Sequence, residues 1–170
     1  MSSQIDIVRK FRTNFSSFKE VWLFTQIFLL STVMPIILRL ISLPKLMYVL
    51  TPQDLKLHKD LDLERSKDKI VKFTDYILSH NFWIYKNSCL KRSLLLYHFL
   101  NKIGINVRLC LGVKYNKSMI SKDCDRELNG HAWLLLNGEI FLERNIEMAR
   151  EYKVTYCFPS SQRLNEKGIC

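Results

Sequence analysis

The pattern of apolar and polar positions divides the chain into segments of different character. From Val21 to Leu38 it runs without a charge (VWLFTQIFLLSTVMPIIL), at the lower edge of the length that spans a bilayer. Gln26, Ser31, Thr32 and Pro35 interrupt that apolarity, and Lys19, Arg39 and Lys45 flank it. Such a helix suits three placements: packed on the domain, lying on a membrane surface or against a partner, or crossing a membrane. Thr51-Pro52 then breaks the chain, and residues 53–68 are highly charged, which marks the best candidate boundary. Leu63 to Ser79 is predicted to be a helix, with Ile70, Phe73, Ile77 and Leu78 on one stripe. Trp83 and Tyr85 fall in a short connector.

Beyond Asn87 the periodicities become sharper. Ser88 is a good N-cap, and CLKRSLLLYHFLNKIG reads as a helix closed by Gly104. In NVRLCLGVKY, Val107, Leu109, Leu111 and Val113 alternate with Arg108, Cys110 and Gly112, as in a strand. Residues 116–129 form a polar loop, after which GHAWLLL and EIFLE flank Asn137-Gly138, a strong hairpin signal. Helix, strand, strand, strand implies an α+β core at residues 76–170, preceded by an apolar helical region at 1–75.

Composition narrows the class. With 170 residues, 48% hydrophobic and 25% charged, the chain suits a single domain with a real core, or a domain with a helical appendage. Five glycines and four prolines leave no long flexible linker. The net charge of +10 would attract polyanions, but the basic residues are spread along the chain without interleaved aromatics, so nucleic-acid binding is not expected. The first 15 residues lack a signal-peptide cleavage site. Cys89, Cys110, Cys124, Cys157 and Cys170 are odd in number and irregularly spaced, which predicts reduced thiols and a cytoplasmic protein, peripherally membrane-associated if the apolar helix touches lipid. Cys110, Cys124 and His131 match no zinc spacing, and neither metal nor cofactor is expected.

The candidate chemistry begins at Cys89. A thiol in the first turn of a helix feels the positive end of the macrodipole, and Lys91 and Arg92 add charge nearby; all three favour thiolate. The unpaired N–H groups there can receive an oxyanion when a peptide carbonyl is attacked. Among the histidines, His58 lies in the charged region, His80 ends a helix, and His98 faces elsewhere on the Cys89 helix. His131 opens a strand beside Trp133, where a base can act on the thiol and later protonate a leaving amine.

Such a base needs a third group to orient it, and Glu143 is the candidate. If Asn137-Gly138 form a strict two-residue turn, His131 pairs with Arg144 and Glu143 faces away. If Leu136 joins the turn with Gly138 in a bulge, His131 lies opposite Glu143. By the same parity Asn145 is the runner-up. Asp123, Asp125 and Glu127 precede the strand and Glu147 lies past the hairpin, so all four are weaker choices.

The string CLKRSLLLYHFL, the strand ending in LGV, and GHAW followed by a turn and an acidic residue resemble the lasso-peptide leader peptidases, the B-type proteins of lasso-peptide biosynthesis. The likeness covers about residues 81–145, and the apolar helical N-terminus is similar as well. It implies a transglutaminase-like, papain-related core, with the nucleophile helix on a small antiparallel sheet, and a cysteine protease that removes the leader from a ribosomally made precursor peptide. Cys89 and His131 match the family's nucleophile and base. Glu143 stands where the family carries aspartate, a departure that leaves the acid the least secured member. Residues 1–80 read as helices, not as the strands of the leader-recognition domain that some members carry. The resemblance therefore implies a stand-alone protease served by a separate recognition protein, handing its product to a macrolactam synthetase. The same residues also suit an acyltransferase, and a catalytically silent scaffold is the reading from another class.

Overall fold

The computed structural model describes residues 18–52, 63–79, 89–116 and 127–160. The expected Ser88 cap, the Trp83–Tyr85 connector, His58, His80, Asp123, Cys124, Asp125 and Cys170 lie outside them, as does the side chain of Glu127.

Among the described residues, four helices precede the sheet: α1 (Phe18–Leu40), α2 (Leu43–Leu50), α3 (Leu63–Ser79) and α4 (Cys89–Lys102). The strands are β1 (Arg108–Asn116), β2 (Glu127–Leu136), β3 (Glu139–Phe141) and β4 (Lys153–Phe158), with the short helix α5 (Ile146–Arg150) before the last. They form one antiparallel sheet in the order β3-β2-β1-β4. The fold is α+β, as the order of periodicities implies.

Helix α4 is the centre of the molecule. Leu94, Leu95, Leu96, Tyr97, Phe99 and Leu100 are all buried, because α4 packs against both α3 and β2 and keeps almost no solvent face. Each such leucine contributes roughly 2 kcal/mol through burial. Its end is a Schellman closure: Ile105 N donates to Leu100 O, Gly104 N donates to Asn101 O, and Gly104 takes φ 92°. Asn101 then ties the helix to the next segment by donating to Tyr97 O and Val107 O.

The stripe predicted on α3 is buried as expected, at Ile70, Phe73, Ile77 and Leu78. One hydrophobic cluster runs from Ile27 of α1 through these residues and α4 to Leu134 of β2. The division expected at residues 75 and 76 therefore falls inside a helix that belongs to this shared core. Helix α1 turns Ile27, Ser31 and Met34 inward, while Phe18, Trp22, Leu29, Val33, Ile36 and Leu40 form an exposed stripe on its other side. It is long and apolar enough to cross a membrane, and only 17% of its most apolar window is buried.

Two expectations are corrected here. The polar loop ends earlier than read: β2 begins at Glu127, where backbone pairing to Asn116 outweighs the polarity of residues 127–129. Nor are all the cysteines reduced. Cys110 and Cys157 are direct neighbours on β1 and β4, with Cα atoms 4.2 Å apart, and form a disulfide. Sequence spacing hid the pair because a separation of 47 residues is closed only by β4, a strand with no turn signal before it.

Candidate active site

Cys89 is the first residue of α4 and its thiol is free and partly exposed. Its backbone N–H and those of the next residues have no intrahelical acceptor, the general condition of a helix start. One turn on, Ser93 donates from Oγ to Ala132 O at 3.0 Å, which fixes this end of α4 against β2 beside His131. A cleft of about 230 Å³ opens there, lined by Cys89, Arg92, Ser93, Ala132, Glu143 and Arg144.

His131 projects from β2 with 9% of its side chain exposed. Its ring stacks on Trp133 (centroids 5.9 Å apart, 22° between planes) and lies 5.1 Å from Tyr152. The space for these rings comes from Gly112, the β1 residue paired with His131, where a Cβ atom would meet Trp133 at 2.7 Å and Tyr152 at 2.9 Å. Trp133 was legible as a shield by its spacing, whereas Tyr152 carried no signal: it approaches through the turn between α5 and β4.

The third residue reaches the site by a route that strand parity does not contain. Asn137 and Gly138 have φ of 54° and 91°, and Leu136 pairs with Glu139. This is the strict two-residue turn, the register expected to aim Glu143 away. Yet Glu143 Oε2 lies 3.6 Å from His131 Nε2. The reason is Leu142, whose φ is 55°. Strand β3 ends at Phe141, and a left-handed residue directly after it cancels the alternation, so the next side chain turns back to the His131 face. The rule that turn type decides the pairing of His131 with Glu143 is therefore overturned, although the residue it proposed is the one that arrives.

The elbow at Leu142 is held from α4. Arg92 donates from Nη1 to Leu142 O at 2.8 Å, and from Nε and Nη2 to the two oxygens of Asp75 at 2.7 and 3.3 Å. Arg144, on the other side of Glu143, lies 3.2 Å from Asp75 Oδ1. Glu143 Oε1 accepts from Arg144 N at 3.1 Å, leaving Oε2 toward the imidazole. At 3.6 Å this contact is longer than a hydrogen bond, and among the described residues His131 Nε2 has no hydrogen-bond partner.

The remaining candidates have other occupations. Asn145 is the N-cap of α5, its Oδ1 accepting from Met148 N at 3.0 Å, so Glu143 and not Asn145 faces His131. His98 donates from Nδ1 to Leu50 O at 2.7 Å, far along α4, and burial pushes its pKa below the usual histidine value against the pull of that carbonyl. Burial also lowers the Lys91 pKa, and Arg92 is neutralised by Asp75. Of the two cations read as thiol activators, Arg92 is thus engaged elsewhere, and burial disfavours the charge on Lys91. Cys110 is disulfide-bonded, which removes it as a metal-binding thiolate.

Residues 38–157 match the family model of the transglutaminase-like superfamily. No curated protein and no solved structure gives a match.

Proposed function

Because the chain belongs to the transglutaminase-like superfamily, we propose that it is a cysteine peptidase that removes the leader from a ribosomally made lasso-peptide precursor. Cys89 is its nucleophile, His131 its base and Glu143 the group that orients the base. The observation that carries this reading is the approach of Glu143 Oε2 to His131 Nε2, both side chains largely buried, with Cys89 and Glu143 lining the same cleft. Long contacts of this kind are common before substrate binds and tighten with it.

With Nε2 turned to Glu143, Nδ1 is the ring nitrogen left for the thiol. The Cys89 thiolate attacks the scissile carbonyl, and the oxyanion is received by the free N–H groups at the start of α4. The imidazolium gives its proton to the leaving amine, and an acyl-enzyme remains. His131 then takes a proton from water, the hydroxide attacks the thioester, and the thiolate leaves. Trp133 and Tyr152 limit water around the ring, which strengthens the charge interaction with Glu143.

The likeness of CLKRSLLLYHFL and GHAW to the leader peptidases supports the substrate class and the two proposed protein partners, a separate recognition protein and a macrolactam synthetase. The exposed stripe on α1 supports a further contact, with an anionic membrane surface. Phe18, Trp22, Leu29, Val33, Ile36 and Leu40 lie together over about 34 Å of helix, with the cations Lys19, Arg39 and Lys45 at or near its ends. Co-sedimentation with vesicles containing anionic lipid, lost on Trp22→Glu with Ile36→Glu, tests it. Retention by neutral vesicles, or binding unaffected by the substitutions, would remove this contact.

The decisive experiment incubates a precursor peptide and its recognition protein with wild type and with Cys89→Ala, followed by mass spectrometry. Cleavage at one site by wild type alone is expected. An amine-linked product instead of a hydrolysed one would indicate acyl transfer, and no product from either folded protein would favour the scaffold reading.

A further inference from the structure

We propose that Arg92, anchored by Asp75, is a positioning residue for Glu143. The inference rests on the reading of Glu143 as the orienting carboxylate and names what holds it in place. Left-handed backbone at a leucine is unfavourable by about 1–2 kcal/mol, and β3 has ended before Leu142, so no strand pairing imposes it. What meets the carbonyl of this residue is the Arg92 guanidinium, 12% exposed, which at the same time binds both oxygens of Asp75. Arg144 closes the arrangement from the far side of Glu143 by reaching the same carboxylate. Glu143 is therefore bracketed: the carbonyl before it and the guanidinium after it both lead to Asp75.

Two consequences follow from the chemistry. Arg92 lies on the first turn of α4, three residues after Cys89, so one rigid helix sets the thiol and, through Leu142 O, the carboxylate. A planar fork is required, because one side chain must serve a carboxylate with two nitrogens and a carbonyl with a third; a lysine ammonium cannot reproduce that geometry. Asp75 belongs to α3, so the helical region N-terminal to the nucleophile takes part in shaping the site.

A purely structural ion pair would stabilise the fold without acting through Glu143, and a double-mutant cycle separates the two roles. The readout is the rate and pH profile of Cys89 alkylation by iodoacetamide, followed by mass spectrometry of the Cys89 peptide, which needs no natural substrate. Glu143→Gln slows alkylation at neutral pH, and Arg92→Lys slows it by a similar factor, on the order of 10-fold, since misplacement by about 1 Å can cost up to 10²-fold. Arg92→Lys combined with Glu143→Gln is no slower than Glu143→Gln alone. Asp75→Asn, which keeps the shape, gives the same non-additive pattern if Arg92→Lys proves unstable. Multiplying effects in the double variant, or wild-type alkylation in both Arg92→Lys and Asp75→Asn, would overturn the positioning role alone. An unaltered profile in Glu143→Gln would remove the orienting role of Glu143 and this inference with it.

Discussion

Glu143 Oε2 lies 3.6 Å from His131 Nε2 although the hairpin register assigns the two side chains to opposite faces. One left-handed residue, Leu142, reverses the alternation immediately after β3. The acid is thus carried by an elbow and not by a strand, and its position depends on what binds the elbow.

Replacing the carboxylate by an isosteric amide tests its role directly. Glu143→Gln keeps the volume but cannot stabilise the imidazolium, and peptidase turnover is expected to fall by roughly 10²–10⁴-fold. Glu143→Asp keeps the charge and should lose less. Single-turnover cleavage of the precursor peptide checks both, and equal activity of Glu143→Gln and wild type would exclude the residue.

Gly112 tests the aromatic platform beneath His131. A methyl group there overlaps the Trp133 ring and the Tyr152 Cβ. Gly112→Ala should lower stability by about 1–3 kcal/mol and shift the near-ultraviolet circular dichroism of Trp133. Denaturant unfolding measures the first, and an unchanged midpoint would show that the rings give way without cost.

The Cys110–Cys157 disulfide closes a span of 47 residues. Loop-closure entropy assigns such a link about 4 kcal/mol, so Cys157→Ser should lower the unfolding free energy by nearly that amount. Alkylation of the denatured, unreduced protein should leave both cysteines unmodified; labelling of both would contradict the bond.

His98 gives the fold a pH dependence separate from the site. Its folded pKa lies below the ordinary histidine value of about 6.5 because burial disfavours the charged ring. The unfolded chain therefore binds the proton more readily, and stability, complete above about 6.5, falls as pH drops from there toward the folded pKa. His98→Asn, whose amide can still donate to Leu50 O, should flatten this part of the profile in thermal unfolding between pH 5 and pH 8.

Much of this protein was legible in one dimension. The α3 stripe, the limits of α4 with its Gly104 closure, and the Asn137-Gly138 turn each arise from residues a few positions apart, so local propensity and periodicity specify them. Cys89 and His131 were singled out for a related reason: a helix start and an alternating strand are local features with chemical meaning. His131 nevertheless lies in the middle of β2 and does not open it, because the pairing with β1 starts at Glu127. Arg92 was read only as a nearby charge, and Asp75 was not singled out, because an ion pair between helices 17 residues apart leaves no periodic trace.

By itself the sequence determined the element types, the apolar character of α1, and the two residues on which the proposed chemistry turns. Only the tertiary structure decided that Cys110 meets Cys157, that Tyr152 comes up against His131, and that Glu143 rather than Asn145 faces the imidazole. Each of these depends on long-range pairing or on a single backbone angle stabilised from another element. Such angles are selected by the guanidinium, ring or strand that meets them in the fold, not by the residues that carry them.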